Sequence, residues 1–143
     1  MLETIKLAEE AGKNNEVPVG AVVVRNGEII GKGQNRRQRD CDPTAHAEIL
    51  ALRMAAQKTG SWHLDDCDIY VTVEPCPMCA GAIINSRIKT VVFGAYESKT
   101  GSCSNESVVN LFNLGFNHKP EVYGGIKEKE CSRLMTEFFK NKR

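Results

Sequence analysis

Apolar residues recur at helical spacing over Leu2, Ile5, Ala8 and Ala11, with Gly12 close behind, which predicts a short opening helix ending near Lys13-Asn14. Val19 to Val24 and Glu28 to Gly33 then read as β-rich runs around Asn26-Gly27, a pair that favours a tight hairpin turn. The first two strands are therefore expected to be antiparallel neighbours. A polar, basic loop from Asn35 to Pro43 leads to Thr44, a good helix N-cap, and to a run of helix formers from Ala45 to Lys58 that Gly60 stops. His46 and Glu48 then stand in the first turn of that helix. Ile69 to Val73 reads as a third strand, Cys76 to Ser86 as a helix opened by Pro75 and Pro77, and Thr90 to Gly94 as a fourth strand. Strand, helix and strand in so short a span imply a right-handed parallel unit. Glu97 to Ser107 reads as a polar loop, Val108 to Leu114 as helical, and Glu121 to Tyr123 as a short fifth strand. Lys127 to Lys142 closes the chain as a charged helix with an apolar stripe at Cys131, Leu134, Met135 and Phe138. The expected fold class is α/β, a three-layer α/β/α arrangement around a mixed five-stranded sheet, with the helices that begin near His46 and Cys76 packed side by side.

Composition changes this picture little. A chain of 143 residues is most economically one domain spanning residues 1–143. Lys plus Arg (19) nearly balance Asp plus Glu (18), so any nucleic-acid surface must be a local patch. The N-terminus lacks the basic stretch and apolar run of a secretory signal, and no later apolar run is long enough to span a bilayer, so no membrane partner and a cytoplasmic location are expected. In such a setting the six cysteines (41, 67, 76, 79, 103, 131) are expected as free thiols or metal thiolates rather than disulfides.

The chemistry concentrates in His46-Ala47-Glu48 and Pro75-Cys76-Pro77-Met78-Cys79. Cys76 and Cys79, three apart at a helix start, share one face, and the helix N-terminus favours thiolate. His46 at a second helix start completes a three-ligand zinc site, one Zn2+ ion per chain. Structural zinc sites close with four protein ligands, whereas catalytic ones stop at three and leave a position for water. Glu48, two residues from His46, points elsewhere and serves as the proton shuttle of a hydrolytic deamination. A Cys-x-x-Cys alone also fits a redox pair or half a zinc knuckle, but no second such pair completes a four-thiolate site. His63 and His118 read as loop and turn residues, and Cys41, Cys67, Cys103 and Cys131 lack ligand-like spacing, Cys41 being the nearest to the His46 helix.

These motifs, with Glu16-Val17-Pro18-Val19-Gly20-Ala21, Asn35-Arg36, Asp42-Pro43-Thr44-Ala45, Tyr70 to Ile83, Ser86-Arg87-Ile88, Val91 to Ala95, Phe116-Asn117-His118 and Phe138-Phe139, resemble the bacterial tRNA-specific adenosine deaminases over nearly the whole chain. The resemblance implies a cytidine deaminase-like fold and conversion of adenosine to inosine at the wobble position of a tRNA anticodon, by a homodimer. It also implies that His46, Cys76 and Cys79 bind zinc, that Glu48 moves the proton, that Asn35 hydrogen-bonds the base and that the backbone of Ala47 lines its pocket. On its own chemistry Asn35 serves equally to cap a turn after the second strand. Arg36, Arg37 and Arg39 around it are expected to meet the anticodon stem-loop, with Arg36 the residue beside Asn35. Lys140, Lys142 and Arg143 offer a second cluster that reads equally as a solvated helix end.

The chain departs from the family pattern where Glu97 replaces the usual Asp and Ser104-Asn105-Glu106-Ser107 replaces a small Gly-Ser segment. That loop, with Glu97, is expected to meet the anticodon nucleotides. Two rivals stand beside the leading reading: a deaminase of a free guanine- or cytosine-type base or nucleoside, and a zinc-stabilised RNA-binding module without activity.

Overall fold

The computed structural model describes residues 1–142. Helix α1 (Leu2–Lys13) is followed by strands β1 (Gly20–Arg25) and β2 (Glu28–Gln34), helix α2 (Ala47–Thr59), strand β3 (Asp68–Val73), helix α3 (Pro77–Ser86), strands β4 (Thr90–Ala95) and β5 (Glu121–Tyr123), and helix α4 (Glu128–Asn141). The sheet order is β2-β1-β3-β4-β5, with β1 antiparallel to both neighbours and β3, β4 and β5 parallel, so the expected mixed five-stranded α/β architecture is the one observed. Asn26 and Gly27 take φ of 51° and 76°, the doubly left-handed turn that matches strand twist. A bulge between Val23 and Val24 adds twist to the hairpin.

α1 and α4 touch each other and cover one face of the sheet, while α2 and α3 touch each other on the opposite face. The approach of α2 to β2 depends on glycine: a Cβ on Gly33 would strike the carbonyl of Ala47 and the nitrogen of Ala51, and one on Gly31 would strike the carbonyl of Ala51. Small Ala47, Ala51 and Ala55 answer these glycines from the helix and are fully buried. Phe93, Leu64, Ile69, Ile83, Ile88 and Val71 fill the rest of the core, each contributing about 1.5–3 kcal/mol through lost apolar exposure. No helix among the described residues is long and apolar enough to cross a membrane.

Two local expectations are corrected. Thr44 does not cap α2: its N–H and hydroxyl both donate to Asp42 Oδ1 (2.8 and 2.7 Å), closing a turn before the helix, and the helix begins at Ala47 with His46 as N-cap. Aspartate competes for local donors better than a helix end two residues on. Val108 to Leu114 holds only a single turn of 3-10 helix at Leu111–Asn113. The Asn110 side chain accepts from Phe112 N and Ser107 Oγ donates to Val109 O, so side chains satisfy backbone groups that a longer helix would have used.

Candidate metal centre and pocket

His46 and Cys76 occupy equivalent places, each the N-cap of its helix with extended backbone (φ −80°, ψ 150° and φ −75°, ψ 173°). Pro77 at the first turn of α3 gives up no hydrogen bond there and pre-sets the helical φ. Because α2 and α3 lie side by side, their N-termini deliver His46, Cys76 and Cys79 to one point. Nδ1 of His46 is 3.7 Å from Cys76 Sγ and 3.5 Å from Cys79 Sγ. Tetrahedral zinc, with metal–nitrogen about 2.05 Å and metal–sulfur about 2.3 Å, sets nitrogen and sulfur about 3.6 Å apart. The donor set thus fits such an ion, and among the described residues these three alone bring ligand atoms within 4.8 Å of one another.

The three ligand side chains share protons among themselves. The Cys79 thiol and the His46 ring hydrogen-bond the Cys76 sulfur and bring its thiol well below the ordinary range. The same contact to Cys76, with burial, keeps the proton on Cys79 and raises it, and the Cys76 contact also raises His46. Glu48 is 4 % exposed. Burial pushes its carboxyl up to about 7, against smaller opposing pulls from its own backbone N–H and from His46.

A cavity of about 130 Å³ opens beside this cluster, walled by Val17, Val19, Val73 and Met135 and by the polar groups of Asn35, Arg37, His46, Glu48, Glu74, Cys76, Glu97 and Thr100. Asn35 and Glu97 both line this cavity. Ala47 is fully buried, and its N–H donates to Asn35 Oδ1 at 2.9 Å. An N–H requires an acceptor, so the orientation of the amide is fixed: Oδ1 supports the first turn of α2 and Nδ2 remains a donor. Asn35 serves the structure with one atom and keeps the other available.

Arg36 is not brought there. Its guanidinium pairs with Asp40 Oδ1 at 3.2 Å, and with Arg39 it lines a groove toward Lys32 and Arg53. Arg37 takes the place at the cavity. The backbone turns here, Asp40 N donating to Arg36 O at 2.9 Å, and Asp40 holds the Arg36 guanidinium away from the cavity. A second cavity of about 320 Å³ shares Val17, Asn35 and Arg37 with the first and adds Phe138, Phe139 and Lys142. Lys142 donates to Asn15 Oδ1 and lies 5.3 Å from the Phe138 ring centre, so the end of α4 borders the site's margin. Arg143 lies outside the described residues.

Two buried acids were not singled out from sequence. Glu16 accepts from Gln38 N (3.2 Å) and Arg39 N (2.9 Å), and Glu74 accepts from Glu97 N (3.0 Å), Cys103 N (2.9 Å) and Ser104 Oγ (3.0 Å). The signal for Glu74 was an acid directly after an apolar strand, and for Glu16 an acid leading the apolar Val17-Pro18-Val19 into β1. All six cysteines are free, with Cys41 exposed and Cys67, Cys103 and Cys131 buried apart from the ligand group. His63 stacks on Trp62, and His118 hydrogen-bonds Ile88 O.

The sequence matches the MafB19-like deaminase family over residues 1–143. It is 46% identical over 143 residues to the tRNA-specific adenosine deaminase of Bacillus subtilis (strain 168), covering 100% of this chain and 88% of that protein. A solved structure from a study of A-to-I editing by tRNA deaminases at the wobble position of transfer RNA superposes with a TM-score of 0.88 at 42% identity, covering 92% of this chain and 94% of the other. A guanine deaminase from Bacillus subtilis is also similar, with TM-score 0.65 and 45% identity, but over only 66% of this chain and 61% of the other.

Proposed function

The chain belongs to the MafB19-like deaminases and, among them, to the tRNA-specific adenosine deaminases, and from that premise we propose how its own residues convert adenosine to inosine at the wobble position of a tRNA anticodon. The observation that carries the reading is the convergence of His46, Cys76 and Cys79 on one point beside Glu48, within a chain similar over its full length to tRNA-specific adenosine deaminases.

His46 Nδ1, Cys76 Sγ and Cys79 Sγ would hold one Zn2+ ion. When bound, zinc supplies the Lewis acidity that makes water a nucleophile near neutral pH. Glu48 carries the proton traffic: a carboxyl lifted toward neutrality both accepts a proton from water and returns it. It passes one proton to the ring nitrogen beside C6 and helps a second reach the departing amine. Overall the C6–N bond breaks, a C6–O bond forms, one water is consumed and ammonia leaves. Asn35 Nδ2 donates to an acceptor on the base, while Ala47, expected to line the pocket, lies fully buried behind it and holds the Asn35 amide through its N–H. Val17, Val19, Val73 and Met135 exclude bulk water from the small cavity, so the target base must be turned out of the anticodon loop to enter. Arg37 and Lys142, which line the adjoining cavity, would meet backbone phosphates, and Glu97 would meet the nucleotide's polar edge.

We read residues 1–143 as one domain, because α1, α2 and α4 pack on the one sheet and α3 packs on α2. We assign it to the cytoplasm with its RNA. A homodimer is supported by an apolar groove between α2 and α3, lined by Ile49, Leu52, Ala56, Leu64 and Ala82 and flanked by Trp62, which is 59% exposed. Incubating an anticodon stem-loop with the protein and measuring inosine by nucleoside mass spectrometry tests the activity. Turnover of free guanine or cytidine with none on RNA would replace it.

A further inference from the structure

Glu74 is the last link between the metal-ligand segment and the far wall of the pocket. It follows β3, stands directly before Pro75-Cys76, and is 3 % exposed. A buried carboxylate is costly unless it is fully bonded, and Glu74 is: Oε1 accepts from Glu97 N, while Oε2 accepts from Cys103 N and Ser104 Oγ. All three donors belong to one loop. Gly101 leaves the space this needs, since a Cβ there would meet the Glu74 carboxyl carbon at 2.6 Å and Oε1 at 2.7 Å. Ser102 N and Oγ also donate to Pro75 O (3.0 and 3.1 Å), so the same loop is tied to the residue before Cys76. The wrapped loop then presents Glu97 and Thr100 to the cavity that Glu48, His46 and Asn35 line.

We propose that Glu74 is a positioning residue for substrate: its carboxylate organises the 97–104 loop into a fixed wall, so that Glu97 and Thr100 meet the incoming nucleotide pre-set with respect to the metal ligands. The proposal rests on the deaminase reading for the identity of the substrate, while the clamp itself is a property of the loop. The need for a carboxylate is specific. Glu97 N and Cys103 N approach different oxygens, and a glutamine of the same shape turns an N–H donor toward one of them, whereas aspartate keeps two acceptors.

The test compares wild type, E74Q and E74D for zinc content, backbone hydrogen exchange of residues 97–104, and kcat and KM on an anticodon stem-loop. The expected result for E74Q is unchanged zinc stoichiometry, exchange at Glu97 or Cys103 faster by about tenfold, KM raised about tenfold and kcat within about threefold of wild type, with E74D recovering most of the KM. Unchanged exchange overturns the clamp. Faster exchange with unchanged KM, or a loss carried by kcat or by zinc, overturns its role in substrate positioning. If E74Q fails to fold, Ser104→Ala, which removes one of the three donors, must raise exchange and KM in the same direction by a smaller factor, and no change in either overturns the proposal. Should wild type leave the stem-loop unreacted, the deaminase reading falls, and with it the substrate role, while the exchange measurement still decides whether Glu74 holds the loop.

Discussion

Glu48 stands where a charge is hard to keep, buried against two sulfurs, and that cost is what suits it to move protons. Replacing it with glutamine keeps shape and removes titration. E48Q is expected to hold zinc at wild-type stoichiometry and to lose about 10²–10⁴-fold in kcat, read by nucleoside and metal analysis on the same samples. The pH dependence has a defined sign. Burial raises the folded-state carboxyl from an ordinary 4.5 to about 7, so the folded protein binds the extra proton. Its stabilising contribution in metal-free protein is full below 4.5 and is lost as pH rises through about 7. With a chelator present, the melting temperature of wild type should therefore fall relative to E48Q between pH 4.5 and pH 8. A difference that stays constant contradicts this. At this scale the convergence of His46, Cys76 and Cys79 was legible because their spacing carries chemistry, whereas Arg36 and Arg37 were not separable: side-chain direction in a loop is settled by Asp40 and by Glu16 bonding the backbone at Gln38 and Arg39, neither visible in a one-residue pattern.

At the scale of elements, the metal centre is as well placed as the seating of α2 on β2. Gly33→Ala would force the start of α2, with Ala47 and its neighbours His46 and Glu48, away from the sheet. The expected cost is about 1–3 kcal/mol in urea unfolding, with weakened zinc retention as a second readout. An unchanged unfolding midpoint would contradict the packing described. Strands and long helices followed hydrophobic period and turn chemistry, so their existence and order were legible from residues such as Asn26-Gly27 and Gly60. What was not legible depended on competition for backbone groups: Asp42 took the donors of Thr44, and Asn110 and Ser107 limited the next segment to a single 3-10 turn.

Across the whole molecule, a net charge of +1 hides a local arrangement. Arg37 from the loop after β2 and Lys142 from the end of α4, about a hundred residues apart in sequence, meet across a cavity that adjoins the metal centre. Arg37→Ala and Lys142→Ala are each expected to weaken stem-loop binding and to lower the salt slope of the binding constant by about one, whereas a slope equal to wild type would place the RNA elsewhere. This pairing was unreadable in sequence because it requires the return of the last helix beside α1. The central claim joins this surface to the buried centre as one enzyme. Its most direct measurement is mass-spectrometric nucleoside analysis of an anticodon stem-loop with adenosine at the wobble position, after incubation with zinc-loaded protein. Conversion of that adenosine to inosine, absent with E48Q, is the predicted result; RNA recovered unchanged while free guanine or cytidine is deaminated would contradict it.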